Sequence, residues 1–222
     1  MELFYTKKDY DQNKEIIKSK LVGNENYTYI DMHQYFKSKP TEVIEKMLGI
    51  IDGKSKISLR ILDWFVTKYS NEHKTCYPLD DIDDDIGFTV HIGYKAQLKT
   101  YKKVYFDPFR RYKKFFYYYQ VGDKYKRFET TLGQLNFFKW AFEKKVIEYV
   151  EKNFTDLVKA MNVSNKEDKE RKKKKKIQKG ITESSTTPIS SESSYSSSQT
   201  ESNISPKNTT RNNAMEIVLS FD

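Results

Sequence analysis

The sequence predicts an α+β fold: a small antiparallel sheet with flanking helices, followed by a disordered Lys- and Ser-rich C-terminal tail. Three observations carry this expectation. Residues 115–130 read as a hairpin, residues 88–98 alternate apolar and polar, and composition changes abruptly near residue 162. A chain of 222 residues suits one domain of ordinary size with an appendage. Four stretches are expected: a mainly helical N-terminal region 1–53, an α+β domain 54–162 with a basic aromatic region, a linker 163–213, and an apolar tip 214–222.

In the first stretch, Pro40 suits the first turn of a helix. Glu42 and Glu45 lie near its positive end, and Gly53 follows the apolar set Val43, Ile44, Met47, Leu48 and Ile51. Residues 56–69 place Ile57, Ile61, Trp64 and Lys68 on one helical row, so a helix is expected there too. Phe88, Val90, Ile92, Tyr94, Ala96 and Leu98 then alternate with smaller or polar residues, the period of a half-buried strand, with a helix beginning by Lys95 as the alternative for its far end. Phe115 to Val121 and Lys124 to Thr130 flank Gly122-Asp123. Glycine first in a two-residue turn supplies the positive φ of a type II′ connection. Thr131-Leu132-Gly133-Gln134 has the spacing of a capping box, opening a helix to about residue 153. Thr155 is placed to cap a shorter helix, Asp156 to Met161.

Beyond residue 162 only Tyr195 and Phe221 are aromatic, and a run of charge ending in Lys172 through Lys176 gives way to serine. Such a stretch cannot offset a backbone ordering cost of about 1–2 kcal/mol per residue, so disorder is expected over 163–213. The tip, with Ile217, Leu219 and Phe221, is a candidate for binding a protein partner. One cysteine fits a reducing compartment. The first eight residues lack the basic flank and apolar run of a secretory signal. No stretch nears the roughly 20 apolar residues of a membrane span, so no membrane is expected.

Charge is the strongest functional signal. Residues 86–128 hold Lys95, Lys99, Lys102, Lys103, Arg110, Arg111, Lys113, Lys114, Lys124, Lys126 and Arg127 against only Asp107 and Asp123. That excess equals the +9 net charge of the whole chain. Interleaved rings, Phe88 to Phe128, suit stacking on unpaired bases for about 1–3 kcal/mol each, while the cations neutralise phosphates. Arg110 and Arg111 are the best phosphate forks. Competing readings are a solvated lysine face and ordinary core packing of strand tyrosines.

Other constellations are weaker. Asp80, Asp81, Asp83, Asp84 and Asp85 lack the glycine position and the twelfth-position acid of a calcium loop. They read as an exposed loop or an internal mimic covering the basic face. His73, Cys76 and His91 fall short of a structural zinc set, and no phosphate loop or dinucleotide fingerprint occurs, so no metal or cofactor is expected. Asp107, in Phe106-Asp107-Pro108-Phe109-Arg110-Arg111, is expected to orient Arg110 or Arg111 through a salt bridge rather than serve as a general base.

The strings Ile57 to Thr67, Tyr94-Lys95-Ala96-Gln97-Leu98-Lys99, Phe106 to Arg111 and Glu129 to Phe138 resemble an uncharacterised family of large and giant DNA viruses of eukaryotes. The resemblance covers roughly residues 55–160. It implies work inside an infected cell, in cytoplasm or nucleus at the viral factory, or in the virion, and brings no catalytic residues. The leading expectation is a non-enzymatic accessory protein that binds nucleic acid, DNA foremost, through the eleven cations. The alternatives are a virion-structural or protein-interaction module, and a metal-assisted nuclease in which Asp107 meets Asp63 or Glu129.

Overall fold

The structure, a computed structural model, describes residues 3–79 and 87–183, with side chains of the last helix described through Lys174. The aspartate cluster 80–85, the expected disorder over 184–213 and the tip residues Ile217, Leu219 and Phe221 lie outside the described residues. Met1–Lys175 form one compact unit; of the second unit, Lys176–Asp222, only helical backbone to Glu183 is described.

The fold is α+β. Three helices lead, α1 (Lys7–Lys20), α2 (Asn24–Ser38) and α3 (Thr41–Ile51). Helix α1 starts with a full capping box: the Thr6 hydroxyl accepts the Asp9 N–H, and the Asp9 carboxylate accepts the Thr6 N–H at 2.8 Å. Helix α3 follows Pro40 and buries Ile44 and Met47, as expected; Ile50, outside the expected apolar set, is buried as well, while Val43, Leu48 and Ile51 are partly buried. Residues 59–72 are helical throughout, as α4 (Leu59–Trp64), a π-helical turn (Phe65–Tyr69) and the short α5 (Ser70–Glu72). Ser58 caps the series by accepting the Ile61 N–H.

Strands β1 (Cys76–Tyr77) and β2 (Phe88–Thr89) form one short antiparallel pair. Strands β3 (Phe115–Val121) and β4 (Lys124–Thr130) form the expected hairpin, in register from Val121↔Lys124 to Phe115↔Thr130. Of its two turn residues only Gly122 takes a positive φ, +60°, which selects type II′ over type I′. Phe115, Tyr117 and Tyr119 enter the core. On the other face Tyr118 is covered by Tyr5, at 5.3 Å between ring centres, and Arg127 stacks over Tyr5 and Phe116. The far strand edge is held at Tyr5, whose N–H and C=O both pair with Tyr125.

Several expectations need correction. Residues 88–98 are not a strand beyond Thr89: Val90–Tyr101 form helix α6. Val90, Tyr94, Leu98 and Tyr101 recur at helical spacing and face the core, whereas Ile92, which the strand reading buries, is 67 % exposed. The linker does not begin at residue 163 either. After α7 (Leu132–Glu143) and α8 (Val146–Lys152), helix α9 runs Phe154–Glu183. Leu157 is buried, and Lys68 Nζ ties the expected linker to the π turn, donating to Ser164 Oγ at 2.6 Å and pairing with Asp168 at 3.0 Å. Lys, Glu and Arg are good helix formers, so a few such anchors suffice to continue the helix. Thr155 lies inside α9 rather than capping it, and a left-handed Lys145 separates α7 from α8, which the sequence reading joined. Thr131 caps α7 as expected, but Gln134 turns back to the Thr130 hydroxyl instead of the Thr131 N–H.

One half-buried group is expected to make the fold sensitive to acid. His33 on α2 meets the Tyr10 hydroxyl at 3.1 Å through Nε2 and the Tyr117 hydroxyl at 3.2 Å through Nδ1, with Tyr29 stacked 5.7 Å away. Burial, then Lys37 and Lys14, push its pKa below the ordinary 6.5. The unfolded chain therefore binds this proton more readily than the fold. The resulting stability is complete above pH 6.5 and is lost as pH falls toward the depressed folded value. The melting midpoint is expected to drop from pH 7 to pH 5, and His33→Gln to flatten that part of the profile. Equal slopes in the two proteins count against this role.

Candidate nucleic-acid interface

The basic region is assembled by consecutive turns after α6. Lys95 and Lys99 sit one turn apart on its exposed side, and Lys102 ends it with a φ of +59°. A 3₁₀ turn, Lys103–Tyr105, follows, with the Tyr105 N–H donating to the Lys102 carbonyl. The Asp107 N–H then donates to the Lys103 carbonyl at 3.0 Å, and the Arg110 N–H to the Asp107 carbonyl at 3.1 Å. Each turn hands the chain to the next, and Lys99, Lys102, Arg110 and Arg111 are exposed along this stretch of chain. Buried Phe106 and Pro108 pin that stretch to the core.

Asp107 has the structural role expected of it, by a different contact. Its carboxylate accepts the Phe109 N–H at 2.9 Å and pairs with Lys103 at 3.6 Å, not with Arg110 or Arg111. It also lies within electrostatic reach of Asp63, whose pKa is raised by burial and then by the Asp107 charge. Glu129, the other acid proposed to meet Asp107, instead pairs with Lys114. Among the described residues no three His, Cys, Asp or Glu side chains converge as a metal site. His73 stacks on Tyr69 and His91 faces the Val66 carbonyl, away from any shared centre with Cys76.

Beyond Arg111 the chain returns beside the end of α6 and closes a groove of about 700 Å³. Its walls are the first turn of α2, the last turn of α6 and residues 105–113. Four tyrosines line it, Tyr27, Tyr101, Tyr105 and Tyr112, with Lys102 and Lys113 among them. Tyr27 is 74 % exposed, and Tyr105 and Tyr112 meet edge to face at 6.1 Å. Glu25, only 6 % exposed, forms the floor. It accepts from the Tyr105 hydroxyl at 2.9 Å, the Val22 N–H at 3.3 Å and Lys113 Nζ at 2.6 Å. Burial alone raises a carboxyl pKa, but these donors outweigh it and hold Glu25 below the usual value. The same hydrogen bond raises Lys113, which sits at a left-handed φ of +47°.

The eleven expected cations therefore divide. Lys103, Lys113 and Lys114 are paired with Asp107, Glu25 and Glu129. Lys124 and Lys126 lie over Phe4, and Arg127 is stacked and donates to the Tyr118 hydroxyl at 3.0 Å. Lys114 and Arg127 line a different groove, against α1. Lys95, Lys99, Lys102, Arg110 and Arg111 are exposed and form no ion pair among the described residues. Sequence reasoning missed Glu25 and Tyr27, which come from α2 and carry no local signal of their role. No helix among the described residues is long and apolar enough to cross a membrane.

An uncharacterised protein of Acanthamoeba polyphaga mimivirus is 40 % identical over 156 residues, covering 67 % of this chain and 60 % of the relative. The chain thus spans about 60 % of the length of that relative. No solved structure matches. The resemblance to giant-virus proteins holds, and it reaches past residues 55–160 to take in the N-terminal helices and the tail: over residues 8–217 the chain matches, and belongs to, the family described as a family of unknown function, DUF7197.

Proposed function

We propose that the protein is a non-enzymatic nucleic-acid-binding accessory protein of a large DNA virus, acting at the viral factory or in the virion. One observation carries this reading: exposed Lys102, with no ion pair among the described residues, lines the tyrosine-walled groove, and exposed Lys99, Arg110 and Arg111 lie within two residues of its lining Thr100 and Tyr112 along the chain. Such cations follow a phosphate backbone, and exposed rings such as Tyr27 and Tyr112 accept unpaired bases face to face. The paired lysines have another part. Glu25 fixes Lys113 in place, so the groove is shaped before any ligand arrives, which lowers the ordering cost of binding.

Salt tests this. Fluorescence anisotropy with a labelled mixed-sequence oligonucleotide is expected to show log K falling linearly with log salt, with a slope of about −0.7 per phosphate contacted on a single strand. Absence of binding at 50 mM salt rejects the proposal. A protein-interaction reading draws on Ile16 and Phe116, exposed apolar side chains that line the groove against α1, and on the exposed Leu3 and Phe4. Stable capture of a protein partner without nucleic-acid binding is the result that favours it.

A further inference from the structure

Helix α9 carries a row of cations along one side. At 100° per residue, Asn162, Lys166, Lys169 and Lys173 fall along one line, flanked on one side by Asn165 and Lys172 and on the other by Glu170, with Glu167 farther round. The rotation of the helix is set by Lys68, which holds Ser164 and Asp168 from the neighbouring π turn. Asp168 lies beside Lys172 and is occupied twice: Arg171 takes its other oxygen at 2.7 Å. The line is thereby turned toward Arg60, at the start of α4.

An open groove of about 600 Å³ lies between them, lined by Arg60, Asn162, Asn165, Lys166, Lys169 and Lys172 together with Met161 and Asp168. Arg60, Lys166, Lys169 and Lys172 are exposed, and none forms an ion pair among the described residues. No aromatic ring lines it. From Lys166 to Lys172 the cations span about 9 Å along the helix axis at 1.5 Å per residue, a linear array rather than a cup. A linear array with amides beside it matches a repeating anion better than a single phosphate. The absence of rings among the lining residues matches backbone contact without base contact.

We infer that the α4–α9 groove is a second nucleic-acid contact, which holds phosphodiester backbone independently of sequence. The inference rests on the proposed function but concerns a different surface. The test uses the full chain carrying Arg60→Gln, Lys166→Gln, Lys169→Gln and Lys172→Gln, beside a separate Arg110→Gln/Arg111→Gln protein. Affinity for labelled oligonucleotides of several sequences is measured from 50 to 200 mM salt, with a melting curve for each protein.

The fourfold variant is expected to melt like the parent, to lose affinity equally for every sequence, and to lower the salt slope by about 3. An unchanged slope, while Arg110→Gln/Arg111→Gln weakens binding, overturns this inference and leaves the tyrosine groove standing. A parent that binds no oligonucleotide removes both. A loss confined to an acidic peptide or to anionic vesicles, with oligonucleotide binding intact, also overturns it.

Discussion

Replacing Lys102, Arg110 and Arg111 together by glutamine is expected to abolish measurable oligonucleotide binding at 150 mM salt while leaving the melting midpoint unchanged. All three side chains are exposed and without ion pairs among the described residues, so the fold loses almost nothing with them. Removing three phosphate contacts lowers the salt slope by about 2 to 3. Tyr27→Ala and Tyr112→Ala test the other half of the site. Each stacked base lost is worth about 1–3 kcal/mol, and only an unstacked base can use the ring. The cation variant should therefore weaken single strands and duplexes alike, whereas the tyrosine variants should weaken single strands selectively. Anisotropy with matched single- and double-stranded probes separates the two. Tyrosine variants that bind single strands as the parent does would falsify the stacking role.

What could be read beforehand follows the range of the forces involved. The hairpin and the start of α7 were legible because their signals are local: Gly122 at the turn, and Thr131 next to the N–H it caps. Helix α6 was misread because alternation and helical spacing share Val90, Tyr94 and Leu98. The positions that separate them, Ile92 and Ala96, are apolar yet exposed. Helix α9 escaped because its order depends on Lys68, about a hundred residues earlier in the chain, reaching Ser164 and Asp168. Composition registers the lysines but not that tether. Concentration of charge in the middle of the chain was visible. Its division was not, because Lys113 finds its carboxylate on α2, and Lys114 finds one across the hairpin. The groove has the same origin: Tyr27 and Tyr112 become neighbours only through tertiary packing.

Arg110 and Arg111 owe their placement to Phe106. This side chain is 0 % exposed and meets Tyr94, Tyr101, Phe137 and Trp140 at ring-centre distances of 5.7 to 6.3 Å. The next residue is held just as closely. A Cβ on Gly133 would lie 2.8 Å from the Asp107 carbonyl oxygen, so α7 and the Asp107 turn touch backbone to backbone. Phe106→Ala is expected to cost about 3–5 kcal/mol, a large part of the roughly 5–15 kcal/mol that keeps a domain folded. In a chain of this size that lowers the melting midpoint by roughly 10 °C. Phe109, three residues on, is 50 % exposed, and Phe109→Ala should move stability by less than about 0.5 kcal/mol. The informative comparison is binding below both midpoints. Phe106→Ala should bind oligonucleotide more weakly even when folded, because the cavity lets the turn carrying Arg110 shift. If the folded variant binds as tightly as the parent, the core does not position the arginines, and their charge acts without the geometry described.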